Sequence, residues 1–298
     1  MDGIRGNLKL YARDITYFSV GDAPEPVTPS RQVLALRQPP DPVALANREL
    51  IRPLGHGRTA CGIVPFSAAW YDELEQKRYQ RHGSWLAGAL EFGRHPGESL
   101  LYLGPGLGSD AAQYARTGTP VTVGLTSSDA SELVRENLAR HLLPIRTVNV
   151  GTTSLPFPDC AFDVVTWNAL HDASPPAPSR ISELFRVLKA GGKVIGLFPA
   201  RYDAGYWQDL ILPLQWLYWQ RPADPTTGAK VTARQLRSTF ANFHEFKIAK
   251  RHLRRSELPH PWRILPLVLL ERMIGRVLVF KALKPLSARS GVTVPLAA

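Results

Sequence analysis

The sequence predicts an α/β protein built on a doubly wound, mostly parallel sheet, and three observations carry that expectation. Short apolar runs at residues 100–103, 121–125, 145–150, 164–167 and 194–198 have the length and β-branched content of buried strands. Helical stretches lie between most of them, at 110–117, 129–141 and 179–189, and strand alternating with helix implies parallel pairing through right-handed crossovers. Two later strand-like runs, 243–253 and 276–283, read as an antiparallel pair that finishes the sheet.

The individual elements follow from local chemistry. Residues 1 to about 60 carry Pro24, Pro26, Pro29, Pro39, Pro40, Pro42 and Pro53, a density that breaks both helices and central strands, so this part is expected to be a wrapped or loose arm. Ser67 is an N-cap for a helix through Arg81, and Ser84 starts a shorter helix carrying Trp85, Leu86 and Leu90. The run Leu100 to Gly118 is a strand, a Gly104-x-Gly106-x-Gly108 turn and a helix. Such a turn brings backbone N–H groups close to a ligand, and the helix start favours an acceptor or an anion. The helix at 179–189 ends in a basic turn followed by Gly191 and Gly192. Farther on, Thr232 and Gln235 have the spacing of a capping box for a helix to Phe240, and an apolar helix at 262–274 separates the last two strands. The resulting division is a Pro-rich arm at 1–66, a binding core at 67–200, and a C-terminal part at 201–298 that completes the sheet and caps the site.

Composition narrows the classes. A chain of 298 residues, 44% hydrophobic, can bury one large core, which excludes fibrous and wholly disordered proteins. The formal charge of +11 favours acidic partners, but the late basic series from Lys247 to Lys284 reads as a solvated face rather than a nucleic-acid surface. Two cysteines, Cys61 and Cys160, cannot form a disulfide framework or a cysteine-rich zinc site, and the polar first residues do not read as a secretory signal; a cytoplasmic home is the expectation. The most apolar stretches, 210–219 and 264–270, are interrupted by Pro213 and Pro266 and fall short of the ~20 residues that span a bilayer, leaving peripheral contact with lipid open.

Four segments together carry a family resemblance: LLYLGPGLGSD at 100–110, VGLTSSDASELVREN at 123–137, LPFPDCAFDVVTWNALHD at 155–172 and ELFRVLKAGGKVIGLF at 183–198. They resemble the class I S-adenosylmethionine-dependent methyltransferases, in particular the small-molecule group that includes ubiquinone and menaquinone biosynthesis enzymes. The resemblance implies a Rossmann-like seven-stranded sheet with an antiparallel C-terminal hairpin, S-adenosyl-L-methionine as cofactor, and methyl transfer to a small acceptor, apolar or lipid- and quinone-like. It places Gly104, Pro105, Gly106, Gly108, Asp110, Thr126, Ser127, Thr152, Thr153, Leu155 and Asn168 around the cofactor. No metal is demanded.

Departures from the family pattern are specific. Tyr102 stands where the first strand usually carries an acid, Thr126 where a second acid receives the ribose hydroxyls, and Gly151 where a third receives the adenine amino group. A carboxylate on ribose hydroxyls makes bonds worth ~1.5–3 kcal/mol, against ~0.5–1.5 for a threonine hydroxyl. These losses motivate an alternative, a degenerate methyltransferase-fold protein that binds a ligand or partner without catalysis. His171, beyond the fourth strand, is the candidate general base, with Asp172 beside it either orienting the ring or standing as a loop acid. Tyr71 and Tyr79 read either as a cofactor lid or as helix core. Trp207, Trp216, Tyr218 and Trp219 read as an acceptor wall or as a stabilised cap, and Asp159 and Asp163 as turn and strand-start residues.

Overall fold

The computed structural model describes residues 40–50, 62–126, 131–211, 228–255, 258 and 260–286, all but Pro40 within one compact unit that begins at Asp41. Cys61, Ser127, Trp216, Tyr218 and Trp219, most of the Pro-rich arm and the first residues of the 129–141 helix lie outside the described residues.

The sheet has seven strands in the order β3-β2-β1-β4-β5-β7-β6. The first five, β1 (Leu100–Leu103), β2 (Val121–Leu125), β3 (Ile145–Asn149), β4 (Phe162–Asn168) and β5 (Leu188–Pro199), pair in parallel, and β7 (Val277–Leu283) runs antiparallel between β5 and β6 (His244–Arg251). The architecture expected from the sequence is therefore present, including the antiparallel closing pair. Strand alternation divides the core. Leu101, Leu103, Val165, Trp167 and Phe198 pack on one face with Phe240 and Phe280, whereas Leu100, Tyr102, Val164, Ile195 and Leu197 pack on the other with Ala111, Tyr114 and Val134.

The helices match their sequence signals with four physical differences. The first lies in the arm, where residues 42–49 form helix α1 (Pro42–Glu49) rather than an irregular segment. Asp41 caps it through Val43 N–H at 2.9 Å, and Pro42 sits at the helix start, the one position where its missing N–H and fixed φ cost nothing. Leu45, Ala46 and Leu50 bury against Trp70, Tyr71, Leu74 and Leu107. The second follows Ser67, which caps α2 (Ala68–Gln76) by accepting from Trp70 N–H. The helix then reaches His82 only by widening into a π-helical turn, Lys77–His82. α3 (Leu86–Leu90) and α4 (Ser109–Arg116) come next, and α5 (Ser131–Arg140) is described from Ser131.

The third concerns α6 (Pro178–Val187), which stops two residues short of the predicted end because Leu188 already pairs with Phe162 and the chain turns at Gly191, φ +75°. After α7 (Ala204–Ile211), α8 (Ala233–Thr239) opens with the predicted capping box, Gln235 N–H to Thr232 Oγ1 at 3.1 Å and Thr232 N–H to Gln235 Oε1 at 2.8 Å. Fourth, Pro266 divides the predicted 262–274 helix into a 3₁₀ turn (His260–Ile264) and α9 (Leu267–Ile274), since a proline N cannot continue an α-helical ladder. Among the described residues no helix is long and apolar enough to cross a membrane.

Candidate active site

The carboxyl ends of β1, β2 and β4 converge on one edge, where parallel strands leave their loops and where such sheets bind ligands. At the tip of β1 the loop from Gly104 to Gly108 turns through left-handed conformations, with φ of +68°, +59° and +93° at its three glycines. Each glycine has a different reason. A Cβ on Gly104 would stand 2.1 Å from the carbonyl oxygen of Asn168, so that glycine lets β4 close against the loop. One on Gly108 would meet Leu138 and Val134 of α5 at 3.0–3.4 Å. Gly106 makes room for α1, where a Cβ would lie 2.5 Å from Oε2 of Glu49. The loop is fixed from behind by Asn137, whose side-chain amide donates to Leu107 carbonyl at 2.7 Å.

Glu49 reaches the loop from the last turn of α1. Its Oε2 accepts the N–H of Leu107 at 2.7 Å, and its own carbonyl accepts from Arg78 Nη1. The residue is 2% exposed, and Oε1 has no well-formed hydrogen bond among the described residues; the guanidinium of Arg78 approaches it to 3.9 Å, and the Ser109 side chain also acts on the carboxylate. Burial raises its pKa, more than the Arg78 charge beside it lowers it.

Asp110, in the first turn of α4, forms the second half of this polar group. Its carboxylate accepts from Arg78 Nε at 2.8 Å and Nη2 at 2.6 Å, from Tyr79 Oη at 2.6 Å and from Tyr102 Oη at 2.5 Å. Burial opposes its charge, but the Arg78 guanidinium and the two phenols hold its pKa below the usual carboxylate range. The π-helical turn carries Arg78 and its neighbour Tyr79 to this one carboxylate. Asp110, placed by sequence at the cofactor, is thus the anchor that ties Lys77–His82 to β1. Tyr79 is half-buried with its hydroxyl on Asp110, and Tyr71 is 2% exposed among the residues of α1 and α2.

His171 follows β4. Its ring bonds to the backbone of Arg48, and burial, with the positive charges of Arg48 and Arg78, pushes its pKa down to about 4, so the imidazole is neutral at pH 7. Helix α1 therefore touches both loops, through Arg48 at His171 and Glu49 at Leu107. Asp172 accepts the indole N–H of Trp167 at 2.9 Å. Asn168 is buried, and its Oδ1 accepts from Leu170 N–H at 3.3 Å. The carbonyl of Pro105 accepts from Gly108 N–H within the turn, and Thr126 follows the last residue of β2 at the same edge.

Thr152 and Thr153 are exposed in the loop after β3, where Arg180 Nη1 donates to Gly151 carbonyl at 2.7 Å. Leu155 is buried, and its N–H donates to Glu183 at 2.9 Å, while Arg186 bonds the carbonyls of Leu155 and Phe157 and the carboxylate of Asp159. The 155–163 segment is thereby stitched to α6, and Asp163 is held by Ser99 and Lys189. Asp159 and Asp163 are structural, as their turn positions suggested. Among the described residues, no group of three His, Cys, Asp or Glu side chains gathers at metal-binding distance.

Residues 101–196 match a family described as a methyltransferase domain. This stretch, from β1 into β5, is thus similar to methyltransferase domains. Over 129 residues it is 30% identical to cycloartenol-C-24-methyltransferase of Arabidopsis thaliana, covering 42% of this chain and 38% of the relative. Over 138 residues it is 33% identical to demethylmenaquinone methyltransferase of Symbiobacterium thermophilum, covering 43% and 53%. The chain spans about half or less of the length of these curated relatives. Among solved structures, the [4+2]-cyclase SpnF shares the fold at a TM-score of 0.51 and 19% identity, covering 83% of this chain and 92% of that one. The methyltransferase domain match begins after α1 and the π-helical turn, so Glu49 and Arg78 lie outside it.

Proposed function

We propose that this protein transfers a methyl group from S-adenosylmethionine to a small apolar acceptor of the quinone or sterol kind. The observation that carries the reading is the tip of β1: a three-glycine turn at the carboxyl edge of the sheet, where the Gly106 face admits the Glu49 carboxylate and the Leu107 N–H donates to it, so that the main chain accommodates an acceptor group at this turn. Gly106, Leu107, Thr126 and Asn168 fit the cofactor's demand for close backbone approach and neutral hydrogen-bonding groups, and they are the residues that would hold it. When bound, S-adenosylmethionine supplies an activated methyl group on a sulfonium.

The chain's own residues then have to align the acceptor and take up a proton where one is released. His171 suits the second task. It is neutral, and its bond to the Arg48 backbone fixes one ring nitrogen as donor, which makes the other the acceptor. A base with a pKa near 4 is weak, yet a hydroxyl becomes strongly acidic as it gains a methyl group, so a weak, well-placed base is enough. The non-catalytic alternative was motivated by absent acids, and a buried carboxylate at the β1 loop removes part of that motive.

The acceptor class draws support from the same sheet edge. β7 begins opposite the end of β5, with Val277 paired to Pro199, so α7 and α9 stand over the carboxyl edge. There Ile264, Val268, Leu269 and Met273 are exposed, beside Arg255 and Arg272. An apolar face rimmed by arginines suits access to a lipid-borne acceptor at an anionic surface.

The test is calorimetry with S-adenosylhomocysteine, followed by mass detection of methylated product from a demethylated quinol and a sterol precursor. Binding with turnover of either acceptor supports the proposal. No heat and no thermal shift at millimolar ligand would reject it.

A further inference from the structure

We propose that Glu49 is a cofactor-binding residue: its carboxylate, delivered by α1, receives the α-ammonium group of the methyl donor's methionine moiety, in place of the acid that β1 lacks at Tyr102. The inference rests on the methyltransferase reading above and names a residue that the domain match at 101–196 does not include.

The argument starts from an imbalance. Of the three charged groups packed at the loop, Arg78 and Asp110 satisfy each other through two hydrogen bonds, and Asp110 takes two more from Tyr79 and Tyr102. Tyr102 therefore uses its hydroxyl proton internally and offers the mouth no charge. Glu49 is the group left over. One oxygen is held by Leu107 N–H, and the other is buried without a well-formed hydrogen bond, its polar neighbours being the Arg78 guanidinium at 3.9 Å and the Ser109 side chain. A buried carboxylate oxygen with no well-placed donor is costly, and the group that relieves it must bring an N–H or O–H and, best, a positive charge.

Position selects the donor. Oε2 lies 2.5 Å from where a Cβ of Gly106 would be, so the carboxylate sits directly on the glycine turn at the carboxyl end of β1. A methyl donor of the sulfonium type carries two cationic centres, and only its α-ammonium has N–H bonds to give. The helix is well anchored for the task. Its apolar side packs against Trp70, Tyr71 and Leu74, its last carbonyl is tied to Arg78, and the Arg48 backbone meets His171. One short helix thus links recognition of the donor to the candidate base.

The opposite role is also defined by this geometry: Glu49 as a plug that the ligand must expel. The two roles predict opposite signs. Isothermal titration compares wild type, Glu49→Gln and Glu49→Ala, each with S-adenosylhomocysteine and with 5′-methylthioadenosine, which lacks the amino-acid moiety. The expected result is at least a tenfold loss of S-adenosylhomocysteine affinity in both variants, with methylthioadenosine affinity changed less than twofold. Unchanged or tighter S-adenosylhomocysteine binding in Glu49→Gln overturns the proposal, as does an equal loss for both ligands. Should the variants not fold, wild type is titrated with the homocysteine analogue lacking the α-amino group, and affinity equal to that of S-adenosylhomocysteine again overturns it. If wild type binds neither nucleoside, the methyltransferase reading itself has failed, an outcome distinct from loss of the Glu49 role alone.

Discussion

Replacing Asp110 with asparagine separates a structural anchor from a cofactor ligand. The wild-type carboxylate is the hydrogen-bonded counter-ion of Arg78, whose side chain is only 2% exposed, and removing that charge leaves a buried guanidinium with only the more distant Glu49 carboxylate, 3.9 Å away. Breaking a buried pair from one side costs about 3–5 kcal/mol; asparagine keeps an acceptor oxygen, which places the expectation near the lower end, about 3. Arg78→Met alone leaves Asp110 with its two phenol donors and is expected to cost somewhat less. The double variant removes both charges together, so its cost should fall short of the sum by at least about 1.5 kcal/mol, a coupling typical of residues in one network. Urea unfolding of the four proteins measures each term, and titration with S-adenosylhomocysteine on the same samples measures binding. Asp110→Asn should cost stability first, with any loss of binding following the disturbed loop. If it costs less than about 1 kcal/mol and instead lowers cofactor affinity tenfold or more, Asp110 is a ligand and the assignment to Arg78 is wrong.

Gly106→Ala adds a Cβ 2.5 Å from Glu49 Oε2 at a φ of +59°, and should lower stability by roughly 1–2 kcal/mol while abolishing binding of S-adenosylhomocysteine; Gly106→Val should do the same more severely, and unchanged affinity in either rejects the site. Acid stability has a clear sign. Burial opposes the charge of Glu91, but hydrogen bonds from Lys281 and Lys193 hold it at about 2, and Arg186 and the Leu155 N–H hold Glu183 at about 2. Both pKa values are depressed, so their stabilisation is complete above the unfolded value near 4.5 and is lost as pH falls toward 2. Urea midpoints at pH 7 and pH 3 should therefore differ, and Glu91→Gln should narrow the gap. For His171, the turnover rate should be flat from pH 5 to 8 as far as this group is concerned, with an acid limb near 4 that His171→Gln removes. Sedimentation with anionic vesicles should retain wild type and release a Val268→Glu, Met273→Glu variant; equal sedimentation would dismiss lipid access along α9.

The sheet was legible in the sequence because its strands are short apolar runs and because parallel pairing leaves few topologies once helices alternate with them. The Thr232 capping box was legible for the same kind of reason, a local rule satisfied locally. The glycine turn was only half legible. Spacing identifies a turn, but what each absent Cβ makes room for depends on packing partners far away in sequence: Asn168 for Gly104, Leu138 for Gly108, Glu49 for Gly106. Helix α1 was hidden by the prolines around it, although Asp41 followed by Pro42 is itself a helix-start signal and Leu45, Ala46 and Leu50 have the spacing of a buried face. Arg78 was passed over because a lone arginine in a basic, polar stretch gives no sign that a π-helical turn will bury it.

What identifies the fold and what does its chemistry are not the same residues here. The 155–163 segment and the α6 sequence, which supplied much of the resemblance, interlock through Glu183, Arg186 and Asp159, while Asp163 bonds Ser99 and Lys189 of β5; those contacts fasten the loop before β4 to α6 and to the neighbouring strands. They report architecture. The groups able to set charge at the candidate site, Glu49 and Arg78, come from elements that precede the matched domain, and the acid missing from β1 is answered by a tyrosine bonded to Asp110. A sheet edge of this type supplies geometry through its main chain, which tolerates replacement of side chains, whereas charge can be brought in from any element that packs over the edge. Relocation of a carboxylate from strand to covering helix is therefore compatible with an unchanged fold, and a search for function that stops at the domain boundary would miss it.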